Sequence, residues 1–224
     1  NHLTVLDMSD GELRPVEVTP GTELAIPGIP GPNTVNQLKH HLDVQRMSKS
    51  KGNVVNPDEL VAKYGADTVR AYLMFGFDWT KGGPWNDEQI TGVVRWLNEV
   101  WEMVQAGSPG PGTVEGARIA GRKLHQAVLK VTASFEDFSF NTAIAALMTL
   151  KNDLRALLRD GQLGGEVWAS TMRDMLLMMA PITPHITEEL WARLGLPYSI
   201  HQQAWPAYDA ALAAEDEVTL VVMK

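Results

Sequence analysis

Residues 45–53 read QRMSKSKGN: Arg46, Lys49 and Lys51 supply three cations, Ser48 and Ser50 two hydroxyls, and no acid stands among them. The chain around this stretch is acidic, with 27 Asp and Glu against 19 Lys and Arg and a formal net charge of −8. A protein that coats nucleic acid needs clustered Lys and Arg along its whole contact surface to release counterions. The overall charge excludes that class, so phosphate binding belongs to a local site, and residues 46–51 are that place. Lys49, with Arg46 and Lys51, can neutralise a polyphosphate. Ser48, Ser50 and the backbone at Gly52 offer donors to its oxygens, and Gly52 permits close approach. This is chemistry suited to a leaving pyrophosphate. On charge alone, a solvated basic turn would be the simpler reading.

The loop needs a fixed base, and the next residues provide one. Asn56-Pro57-Asp58-Glu59 offers a capping residue, proline at the first helical position and early acids, so a short helix is expected to start there and stop at Gly65. A second helix is expected from about Asp67 to Phe75, with 76–84 as a connector. From Asn86, paired with Gln89 in a capping signal, apolar residues recur at Ile90, Val93, Val94, Leu97, Val100, Trp101 and Val104, the spacing of one helical face ending at Gly107. After the GSPGPG linker at 107–112, Ile119, Leu124, Val128 and Val131 mark a further helix. Asn141 is expected to cap a third helix of this region, with Ile144, Leu147, Met148, Leu154, Leu157 and Leu158 as its stripe, ending near Gly161. A fourth spans about Glu166 to Met179. A fifth starts with Thr183 as cap and Pro184 at the first position, carries Glu188 and Glu189 toward the positive end of its dipole and stops at Gly195. An irregular loop then reaches about Ala214.

Residues 3–8 and 13–18 pattern as two short strands around Ser9-Asp10-Gly11-Glu12, followed by a Gly- and Pro-rich stretch. EVTLVVMK at 217–224 reads as a strand, and a lone strand cannot satisfy its own backbone hydrogen bonds; it is expected to open a further domain. The fold class is therefore mainly α: a small mixed α/β segment with the basic loop, then an antiparallel bundle of about five helices. The expected divisions are 1–45, 46–84, 85–212 and 213–224.

With 45% hydrophobic residues in 224, the chain is expected to bury a core. It has no cysteine, which excludes disulfides and thiolate metal sites within this span and fits a reducing, cytoplasmic location. The most apolar run, MLLMMAPI at 175–182, is far shorter than the ~20 residues of a membrane span. The opening NHLTVLDMSDGELRPVEV shows no signal-peptide core and starts at Asn1, so the chain is expected to be a piece of something longer and to have no membrane partner.

Beyond charge, the wording of the loop carries information. RMSKSKGN resembles the KMSKS signature of class I aminoacyl-tRNA synthetases, and the following NPDELVAKYGADTVRAYLMF resembles that family's downstream segment. WNDEQITGVVRWLNEVW at 85–101, FNTAIAALMTL at 140–150 and PITPHITEELW at 181–191 resemble successive pieces of the leucyl-tRNA synthetase bundle, in order, over roughly residues 46–206. Valyl, isoleucyl and methionyl enzymes share the loop and bundle and stand as the alternative. Two departures are visible: the motif begins with Arg46 instead of lysine, and the connector GFDWTKGGPW differs from the form common in leucyl enzymes. The family's other nucleotide signature, His-x-Gly-His, is absent, and His40-His41 lacks its spacing.

The resemblance implies a part of leucine–tRNA ligase, which activates leucine with ATP and transfers it to tRNA(Leu). It implies ATP with Mg²⁺ as the substrate complex and the remainder of the same polypeptide as the catalytic partner. Lys49 matches the catalytic motif lysine, and Arg46, Met47, Ser48, Lys49, Ser50 and Lys51 match the ATP-binding loop. No tRNA contact is assignable from the dispersed Lys and Arg. A non-catalytic tRNA-binding fragment and a nucleotidyltransferase of the same signature superfamily are the readings from other classes. The remaining conspicuous residues read as structural: Met172, Met175, Met178 and Met179 as core packing, Trp96, Trp101, Trp168 and Trp191 as helix contacts, and His185 as a residue packed near its helix start.

Overall fold

The computed structural model describes residues 3–7, 14–18, 23–24, 33–34, 46–51, 54–79, 81–83, 85, 89–108 and 110–214. The Ser9–Glu12 turn, His40-His41, Gly52, the Asn86 cap and the 217–224 strand expected from sequence lie outside them. The chain divides into two compact units, 1–56 and 57–224.

In the first unit, β1 (Leu3–Asp7) pairs antiparallel with β2 (Arg14–Val18), Leu3 opposite Val18 and Asp7 opposite Arg14. A second antiparallel pair joins β3 (Glu23–Leu24) to β4 (Asn33–Thr34). The basic stretch ends in a 3₁₀ turn at Lys49–Lys51.

The second unit is helical: α1 (Pro57–Tyr64), α2 (Ala66–Phe75), α3 (Ile90–Ala106), α4 (Val114–Glu136), α5 (Phe140–Arg159), α6 (Gly165–Met179) and α7 (Pro184–Arg193). The segment beyond Gly195, expected to be irregular, holds a 3₁₀ turn at Ile200–Gln202 and the short α8 (Ala210–Ala213). The mainly α class and the bundle expected from periodicity are what the chain adopts, because each stripe named from sequence is the buried face of its helix. Val93, Val100, Val131, Ile144, Leu147 and Leu154 are at or near zero exposure, as are Met172, Met175, Met178 and Met179 on α6. Consecutive helices pack on one another, α4 on α5 and α6 on α7, through short connections that return the chain. α2 also belongs to this core, packing on α3, α5 and α7 with Ala71 and Tyr72 fully buried.

The helix starts required corrections. Asn141 is not a cap: α5 begins at Phe140 with Ser139 in the cap position, so Asn141 lies inside the first turn. Thr183 does hold the position before α7, but its hydroxyl donates backward to Met179 O at 3.3 Å and caps nothing. Glu188 and Glu189 stand beyond the first turn of α7. Glu188 accepts from Ser199 Oγ and Ile200 N, holding the 197–202 segment, and Glu189 pairs with Arg193 at 2.7 Å. The cap of α4, which sequence did not assign, is Thr113, whose Oγ1 accepts from Gly116 N at 2.9 Å.

Glycine is required where α4 meets the α5–α6 connection. Thr113 N donates to Gln162 O at 2.8 Å, bringing the two backbones together, and a Cβ on Gly116 would collide with that same carbonyl. The chain can approach this closely only where no side chain intervenes.

Candidate functional site

The loop at 46–51 presents its chemistry to solvent. Arg46, Met47, Lys49 and Ser50 are exposed and Ser48 is half-buried. Ser48 Oγ and Ser50 Oγ lie 2.8 Å apart, so two hydroxyls share one hydrogen bond and face the same side of the turn. Lys49 opens the 3₁₀ turn, with no hydrogen-bond or ion-pair partner among the described residues. An ammonium held outward on a short turn, beside two hydroxyls that can rotate, is an arrangement able to meet phosphate oxygens.

The helical unit carries a different pattern: its cations are mostly tied to acids. Arg118 forms two bonds to Glu115, Lys123 lies 3.6 Å from Asp153, and Arg173 pairs with Asp174. Lys151, buried on α5, and Arg155 both reach Glu99 of α3. The Lys151 hydrogen bond holds the Glu99 carboxyl below the ordinary carboxylate range; partial burial pulls the other way, and the Arg155 bond and the charges of both partners add to the lowering. Arg159 and Asp160 form a solvent-exposed pair in which each stabilises the other's charged form through a hydrogen bond. Asn152, Arg155, Ala156 and Arg159 line a shallow depression of about 430 Å³ on the outer side of α5. Two guanidiniums one turn apart thus border the same hollow.

A polar junction that sequence did not reveal joins α2 to the α6–α7 turn. Asp67, nearly buried near the start of α2, accepts from Ile186 N at 2.6 Å and His185 N at 3.3 Å, the free amides at the start of α7. His185 Nδ1 lies 2.8 Å from the same carboxylate. Arg70, one turn on, donates from Nε to Ile182 O at 3.1 Å and from Nη2 to Pro181 O at 2.9 Å. Asp67, read from sequence only as the approximate start of the second helix, serves the start of a helix over a hundred residues away. His185, expected to pack near its helix start, stands there with its side chain exposed, its ring touching the Asp67 carboxylate through Nδ1. Trp96, Trp168 and Trp191 are buried helix contacts, and Trp101 lies under the Arg193 guanidinium at 4.8 Å.

Among the described residues no group of three His, Cys, Asp or Glu is placed to hold a metal, and no helix is long and apolar enough to cross a membrane.

Two families match the chain. Residues 34–81 match "tRNA synthetases class I (I, L, M and V)", and residues 117–223 match "Anticodon-binding domain of tRNA ligase". The chain is 49% identical over 179 residues to a leucine–tRNA ligase of Dehalococcoides mccartyi and 47% identical over 180 residues to that of Rubrobacter xylanophilus, each alignment covering 80% of this chain and 22% of the relative. Among solved structures it resembles the LeuRS of Agrobacterium radiobacter K84, described as a ternary LeuRS-tRNA-LeuAMS complex, with a TM-score of 0.68 and 33% identity over 77% of this chain and 23% of that one. A methionyl-tRNA synthetase of Mycobacterium tuberculosis shares the fold at 20% identity and a TM-score of 0.57, over 68% of this chain and 36% of that one. The chain spans about a fifth of the length of the curated relatives it matches.

Proposed function

Since the chain belongs to the leucine–tRNA ligase family, we propose that it forms the part of such an enzyme that supplies the pyrophosphate-binding loop and the helical unit on which tRNA(Leu) docks. The observation that carries this reading is identity near one residue in two with leucine–tRNA ligases over four-fifths of the chain. In the whole enzyme, the leucine carboxylate attacks the α-phosphate of ATP, forming leucyl-adenylate and releasing pyrophosphate. The leucyl group then passes from the adenylate to a hydroxyl of the terminal ribose of tRNA, breaking the acyl–phosphate bond and releasing AMP. ATP enters with Mg²⁺ as part of the substrate, and leucine and the catalytic half come from outside the described residues. The setting is the cytoplasm.

Lys49 is the residue that acts on charge. As the bond to the α-phosphate breaks, negative charge moves onto the β- and γ-phosphates, and the Lys49 ammonium stabilises it more than it stabilises bound ATP. Arg46 adds a second cation, and Met47, Ser48, Ser50 and Lys51 complete the loop. The short turn at Lys49–Lys51 supports this role because it holds the lysine outward, where it can close on ATP and open to release pyrophosphate.

Charging assays on the full-length parent test the reading. It is expected to esterify leucine to tRNA(Leu) and to leave tRNA(Val) and tRNA(Met) uncharged. Charging of either of those with its own amino acid would move the chain to a sister enzyme.

A further inference from the structure

From the contacts of Asp67 and Arg70 we infer that these two residues are positioning residues for the transfer of leucine to tRNA, fixing the synthetase-type segment onto the tRNA-docking helices. The inference rests on the functional reading above. α2 lies inside the span 34–81 matched to class I synthetases, whereas α6 and α7 lie inside the span 117–223 matched to the anticodon-binding family. The α2–α7 junction is therefore a place where the two family segments meet through side chains, and its chemistry is matched on both sides. A carboxylate sits on the electropositive start of α7, and a guanidinium bridges two carbonyls of the turn before it.

Five hydrogen bonds from two side chains one helical turn apart resist both sliding and rotation of α2 against the α6–α7 turn. Apolar packing, such as that of the buried Val69, Ala71 and Tyr72 elsewhere on α2, sets distance but leaves rotation to be chosen by side-chain shape, whereas hydrogen bonds are directional. Asp67 is nearly buried and held by two amides and an imidazole, so its geometry is over-determined. Neither residue belongs to the basic loop, and neither is placed on phosphate or leucine. Their expected effect falls on the step that needs nucleotide-side and tRNA-side segments in register, which is transfer, and spares the step that needs only ATP and leucine.

The test uses the full-length parent with Asp67→Ala, Asp67→Asn, Arg70→Ala and Arg70→Lys, each normalised to the fraction of sites that form adenylate. Leucine-dependent pyrophosphate exchange without tRNA is expected to stay within about threefold of the parent, while kcat for charging tRNA(Leu) falls about tenfold or more with KM for tRNA little changed, as misplaced reactants cost rate. Asp67→Asn keeps one acceptor oxygen and is expected to recover part of the loss. Arg70→Lys reaches one carbonyl instead of two and is expected to recover little. Should Asp67→Ala lose its helical signal, the isosteric Asp67→Asn and the exposed Arg70 variants carry the comparison. Equal loss of exchange and charging, unchanged charging, or a change confined to KM for tRNA would each overturn the positioning role. A parent that lacks leucine-dependent exchange altogether would instead refute the functional reading on which this one rests.

Discussion

Two glycines on α4 are expected to respond to the same substitution with opposite sign. In a helix interior, replacing glycine by alanine stabilises by about 1 kcal/mol, because alanine loses less backbone freedom on folding. Gly121 has nothing within 4 Å of the position a Cβ would take, so Gly121→Ala is expected to realise that gain, raising Tm by about 2–4 °C for a chain of this size. Gly116 differs. Its added Cβ would strike the backbone carbonyl of Gln162, which is pinned by the 2.8 Å bond from Thr113 N and cannot rotate away as a side-chain tip could. Overpacking of this kind costs about 1–3 kcal/mol, and a backbone obstacle puts the cost at about 3, leaving Gly116→Ala destabilised by a net 2 kcal/mol or so. The expected fall in Tm is about 4–8 °C. Urea and thermal denaturation followed by helical circular dichroism measure both variants side by side. If Gly116→Ala proves as stabilising as Gly121→Ala, the close approach of the 113–116 and 162–164 backbones is wrong.

The other expectations concern the loop and one ion network. In the full-length parent, Lys49→Ala should slow leucyl-adenylate formation by about two decades, roughly 3 kcal/mol, with much less effect on leucine binding; single-turnover kinetics decide, and equal losses in both would make the loop merely structural. Arg46→Lys should remain within a few-fold in the same assay while Arg46→Ala loses more, since the position is read as needing charge, not a planar fork; a lysine variant as slow as the alanine one would refute that. Glu99 has a folded-state value held below its ordinary 4.5, so the stability it contributes with Lys151 and Arg155 is full above that pH and is lost as pH falls through the depressed value. Urea midpoints measured from about pH 6 to about pH 3 should therefore fall more steeply for the parent chain than for Glu99→Gln, and parallel curves would contradict the network.

The helices were legible because their signals are local. The spacing from Ile90 to Val104, or from Ile144 to Leu158, needs only a period of 3.6 to be read, and burial follows from it. The basic loop was legible for a similar reason, since three cations in six residues stand out against an acidic chain. What sequence did not reveal is long-range polar pairing. Asp67 meets His185 and Ile186, Lys151 meets Glu99, and Glu188 meets Ser199 and Ile200. No periodicity marks such partners, because an acid near a helix start, a lysine on a helix and a glutamate on a short helix each read equally well as solvated side chains. The misplaced cap at Asn141 has the same origin: Ser139 and Asn141 are both capping types, and the turn from α4 determines which stands at the helix start.

Amino-acid-dependent pyrophosphate exchange by the full-length parent, with leucine, valine, isoleucine and methionine supplied in turn, tests the proposed leucine activation most directly. Leucine is expected to drive exchange far above the other three, and exchange is expected to collapse when Lys49 is replaced by alanine. Exchange driven chiefly by valine, isoleucine or methionine, or leucine-driven exchange indifferent to Lys49, would contradict the assignment of this chain to leucine activation through the 46–51 loop.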